Sequence, residues 1–63
     1  MIENTIDEMI VLTRVITEDW EKVNIQLMFF RSGQLERLKT MISDIQDKTG
    51  KLSAKISKIE KTD

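Results

Sequence analysis

Apolar residues recur three or four positions apart through almost the whole chain, and no proline interrupts them. The first run is Ile2, Ile6, Met9, Leu12, Ile16, Trp20, Val23, Leu27 and Phe30. Side chains three and four apart share one helix face, so this run predicts an amphipathic helix over about residues 3–31. The second run is Leu35, Leu38, Ile42, Ile45, Leu52, Ile56 and Ile59, with Thr49 in its one gap. It is a two-in-seven coiled-coil seam and predicts a second helix over about residues 34–61.

The two runs do not share a phase. Continuing the spacing from Phe30 lands on Gln34 and Arg37, whereas the second seam uses Leu35 and Leu38. Between them sits Arg31-Ser32-Gly33-Gln34, in which Gly33 can supply a left-handed helix end and Ser32 or Gly33 an N-cap. The reading is an all-α, antiparallel two-helix hairpin, coiled-coil-like, with its turn at residues 32–33. The alternative is one long continuous helix with a one-residue skip, paired in a parallel coiled coil. Charge favours the hairpin: residues 1–30 carry six acids and two bases, residues 31–63 eight bases and five acids. Folding back sets Glu3, Asp7 and Glu8 beside Lys55, Lys58 and Lys61. In the middle it brings Glu18 and Asp19 toward Asp44 and Asp47. Gly50, inside the second helix beside Thr49, marks a kink, a close helix approach, the point where the C-terminal segment frays, or a second turn at residues 48–51 followed by a short helix from Leu52 to Ile59.

Size makes the hairpin an incomplete unit. A chain of 63 residues buries only about 60% of its unfolded surface, so a monomeric core is marginal. With no Cys and no His, neither disulfides nor a Cys/His zinc site can staple it. Regular helix packing and oligomerisation remain, and a dimer of hairpins forming a four-helix bundle is expected.

Helix 1 carries more apolar surface than one partner helix covers. Val11 and Val15 lie off its seam, as do Ile10, Ile25, Met28 and Phe29. Val11, Val15, Trp20, Ile25, Met28, Phe29 and Phe30 are therefore the candidate oligomer or partner interface, and Met28-Phe29-Phe30 beside the turn would suit a partner's groove. Trp20 holds a seam position, where its indole N–H needs an acceptor. Thr13 and Thr49 are polar residues at or near the seam. They either form one layer across the hairpin or bond their own backbone one turn back.

A lysine stripe at Lys48, Lys51, Lys55 and Lys58, continuing to Lys61, is the candidate nucleic-acid surface. No aromatic or arginine interleaves it and the chain's net charge is −1, so a solvated coiled-coil face explains it as well. Catalysis, metal and cofactor binding are not expected. Ser-His-Asp and Cys-His chemistry need residues the chain lacks, and it has no phosphate loop, dinucleotide fingerprint or EF-hand loop. The longest apolar runs, residues 9–12 and 27–30, are far shorter than the ~20 residues of a membrane span. The acidic opening MIENTIDE is unlike a signal peptide, and a cytoplasmic protein is expected. Abundant Ile and Lys fit an AT-rich source such as a low-GC bacterium or its phage.

In architecture this plan resembles the small plasmid-encoded RNA-binding hairpins, whose dimers are four-helix bundles. Their RNA-contacting residues have no counterparts here. The segment Ser32-Gly33-Gln34-Leu35-Glu36 resembles the S-x-x-L-D core of small sporulation phosphatases, also helical hairpins, with Glu36 where Asp is expected. The functional expectation is a non-enzymatic protein–protein interaction module: a self-associating scaffold, adaptor, small chaperone or regulator acting through helix 1. A regulatory RNA- or DNA-binding hairpin using the lysine stripe is the alternative.

Overall fold

The computed structural model describes residues 2–62. Helix α1 spans Ile2–Met28, a short 3-10 turn spans Ser32–Gln34, and α2 spans Leu35–Thr62. The chain is an antiparallel hairpin, 48 Å along its longest axis and only 15 × 10 Å across. The continuous-rod alternative does not describe it.

Helix α1 ends at Met28, three residues before the position its apolar spacing points to. The amides of Phe29 and Phe30 still reach the carbonyls of Ile25 and Leu27, at 3.2 and 3.3 Å. Arg31 then adopts an extended conformation, φ −131° and ψ 142°, which breaks the helical ladder. Its carbonyl accepts from the Gln34 N–H at 2.9 Å and opens the 3-10 turn that leads into α2. Thus Arg31 makes the reversal through extended backbone. Gly33 does not supply a left-handed residue, since no described residue has a positive φ, and no side chain caps the turn. Gly50 lies inside an unbroken α2, so no second turn forms at residues 48–51.

The core is short. Val23, Leu38 and Ile45 are buried, Ile45 to 1% exposure, with Ile16, Met41 and Ile42 packed against them. These residues place the α1 row Met9, Ile16, Val23 against the α2 row Leu38, Ile45, Leu52, each repeating every seven positions. Of the nine seam residues expected on α1, only Met9, Leu12, Ile16 and Val23 are turned inward; Ile2, Ile6, Trp20 and Leu27 remain exposed on the helix and Phe30 in the turn. Asp19 and Gln26 occupy half-buried positions instead. The physical reason is rotational. A row flanked on both sides by usable positions can face its partner with either flank inward. The ion pairs described next hold the polar flank there.

Candidate functional site

The hairpin has two unlike faces, one on each side of the Met9–Ile16–Val23 row. On the first, long-range ion pairs cross between the helices. Lys48 Nζ donates to Asp19 Oδ2 at 2.5 Å and sits 2.8 Å from Asp44 Oδ2. Lys55 Nζ donates to Glu8 Oε2 at 2.6 Å. Lys48 therefore lies between two carboxylates and relieves the acidic encounter that chain reversal imposes on Asp19 and Asp44. The hydrogen bonds that Lys48 donates to Asp19 and then to Asp44 raise its pKa above the ordinary value. The hydrogen bond from Lys55, reinforced by its charge, lowers the Glu8 carboxyl. Toward the turn this side has an unmet polar demand: the buried side-chain carbonyl oxygens of Gln26 and Gln34 have no hydrogen-bond partner.

The second face carries five exposed large apolar side chains, with Thr13, Thr49 and half-buried Ile42 among them. Helix geometry aligns Ile6, Thr13, Trp20 and Leu27 in one row along α1, seven residues apart. Leu35, Ile42, Thr49 and Ile56 form the matching row on α2. In the antiparallel register set by the core, residues whose numbers add to about 62 lie level: Ile6 with Ile56, Thr13 with Thr49, Trp20 with Ile42, Leu27 with Leu35. Ile6, Trp20, Leu27, Leu35 and Ile56 are all exposed, Trp20 by 48%, although all five were expected in the hairpin seam. Thr13 and Thr49 do share a layer here. Each hydroxyl nevertheless donates to its own helix, Thr13 to the Ile10 carbonyl and Thr49 to the Ile45 carbonyl, both at 2.8 Å.

The seven candidate interface residues do not form one surface. Trp20 belongs to the apolar face. Val11 and Val15 line a shallow groove with Glu8, Lys51 and Lys55, on the charged side. Ile25 is exposed, and Met28, Phe29 and Phe30 gather at the turn end, Met28 68% and Phe29 72% exposed. Within the lysine stripe, Lys48 and Lys55 are engaged in ion pairs and half-buried, and the positive charge of Lys58 also acts on Glu8. Lys51 is exposed.

Ile6, Leu27, Leu35 and Ile56 are the residues of the uncovered face that spacing alone assigned to the interior. The available signal was the sevenfold repeat, which gives α1 two adjacent apolar rows where one hairpin contact uses only one. Among the described residues no group of His, Cys, Asp or Glu is placed to hold a metal ion. No helix among them is long and apolar enough to cross a membrane. No protein-family model, curated protein or solved structure matches the chain.

Proposed function

We propose that the chain is a non-enzymatic protein–protein interaction module that associates with itself and acts as a scaffold, adaptor, small chaperone or regulator through the apolar surface of α1. One observation carries this reading: a hairpin whose charged side is bridged by its own ion pairs leaves Ile6, Trp20, Leu27, Leu35 and Ile56 exposed in two level rows on the other side. Contiguous exposed apolar surface on a small protein marks an interaction site. A cytoplasmic setting is part of the same proposal.

The nucleic-acid alternative draws less support, because two of its four lysines already have carboxylate partners within the chain. Phosphate contacts there would have to displace Asp19, Asp44 and Glu8. A binding titration at two salt concentrations separates the readings. The interaction module shows no salt-dependent binding to RNA or duplex DNA; binding lost on combining Lys51→Glu with Lys55→Glu would establish the alternative. For the proposal itself, native mass spectrometry is expected to show assemblies larger than one chain, and a folded monomer at all concentrations would contradict it.

A further inference from the structure

We infer that a second copy of this chain docks on the apolar face with its turn at the opposite end, so that each Trp20 sits against the partner's Thr13. The inference rests on the self-association proposed above and specifies its surface and orientation.

The area fits a partner of this size. A compact folded monomer of 7.4 kDa exposes about 4,200 Å². This hairpin, one layer thick, exposes 5166 Å², an excess of about 950 Å² over that expectation. The whole hairpin is 48 × 15 Å in its broadest projection, and a standard stable interface takes ~800 Å² from each partner. A second identical hairpin matches the face along its whole length and leaves neither copy with an uncovered row.

The order of the layers selects the orientation. From the open end to the turn the face reads Ile6/Ile56, Thr13/Thr49, Trp20/Ile42, Leu27/Leu35. With both turns at one end, like layers would meet. Four threonines would share one layer and two tryptophans with two isoleucines the next, leaving one underfilled and one overfilled. With turns at opposite ends, each threonine layer meets a Trp/Ile layer, so small side chains face large ones. The chemistry agrees. The Thr13 hydroxyl donates its one hydrogen bond to the Ile10 carbonyl and retains acceptor capacity. The Trp20 indole N–H is donor-only and has no partner among the described residues.

Charge at the rim gives the same answer. With turns opposed, α1 packs antiparallel to the partner's α1, level positions adding to about 34. Arg14 then lies near the partner's Glu21, and Glu3 near the partner's Arg31, each contact occurring twice by symmetry. With turns together, α1 would pack on the partner's α2, and Glu3 would fall beside the partner's Glu60.

Disulfide trapping tests the inference in the intact chain, which has no cysteine of its own. The two copies of Thr17 flank the two-fold axis in the opposed arrangement, and so do the two copies of Gln46. Thr17→Cys and, separately, Gln46→Cys are each expected to oxidise to a covalent dimer whose circular dichroism matches the wild type. Trp20 emission should shift to the blue as protein concentration rises. A non-covalent dimer in which neither variant cross-links, or in which Trp20 emission is independent of concentration, would overturn the orientation while leaving self-association intact. A wild-type chain that stays monomeric would overturn both.

Discussion

The two faces of the hairpin are built on the same pair of helices in the same register, yet they behave oppositely. The charged face is bridged within the chain: Lys48 and Lys55 reach across to Asp19 and Glu8 and are themselves half-buried. The apolar face has no comparable long side chains to close it. Ile6, Trp20 and Leu27 are level with Ile56, Ile42 and Leu35, and all of these except half-buried Ile42 are exposed. The comparison teaches that specificity and stabilisation are divided between the faces. Ion pairs with exposed partners contribute little energy but select the register and the inward flank. The hydrophobic gain still available lies on the other side, where this chain alone cannot realise it.

Four substitutions test this contrast. The largest effect is expected at Ile45, which lies beneath both faces. Ile45→Ala should cost about 2–5 kcal/mol, enough to abolish the cooperative thermal transition followed by circular dichroism. Next is Trp20→Ala, which removes the bulkiest side chain of the apolar face. It should weaken self-association on the order of 30-fold by sedimentation, as for an interfacial hot spot, with helicity unchanged at high concentration.

Gly50→Ala belongs to neither face. An added Cβ there meets nothing within 4 Å, and the backbone is helical. It should stabilise α2 by about 1 kcal/mol and raise Tm without changing the order of the layers. The smallest effects concern the charged face. Lys48→Ala should lower Tm modestly, and less so in high salt.

The pH dependence of that face follows from the shifts. The Glu8 carboxyl is lowered, chiefly by its hydrogen bond with Lys55, so its contribution is complete above the ordinary value of 4.5 and is lost as pH falls through the depressed folded value. The Lys48 ammonium is raised, chiefly by Asp19, so its contribution is complete below 10.5 and is lost as pH rises through the higher folded value. Between those limits Tm should be flat with pH.

Much of the fold was legible in the chain. Apolar spacing and the absence of proline predict two helices, the phase slip near Ser32-Gly33 locates the reversal, and the opposed charges of the two halves bring Glu3, Asp7 and Glu8 to the lysines at 55, 58 and 61, among which Glu8 pairs with Lys55. The end of α1 was not legible, because Met28, Phe29 and Phe30 continue its apolar pattern past the point where Arg31 turns extended. Nor was the role of Lys48, since opposing Asp19 and Asp44 reads as repulsion until a third side chain is placed between them. For the candidate site, Trp20 and the surplus of apolar surface on α1 were visible. The division of that surface into a face, a groove and a turn-end cluster was not, because a periodic pattern shows how wide an apolar stripe is without showing which flank the partner helix takes.

The dimer proposed above makes the folded unit larger than one chain. Sedimentation equilibrium of the unmodified protein over a range of concentrations tests it most directly. The predicted result is reversible association to twice the 7.4 kDa of a single chain. A fully helical, cooperatively melting species that stays at 7.4 kDa at every concentration would contradict it.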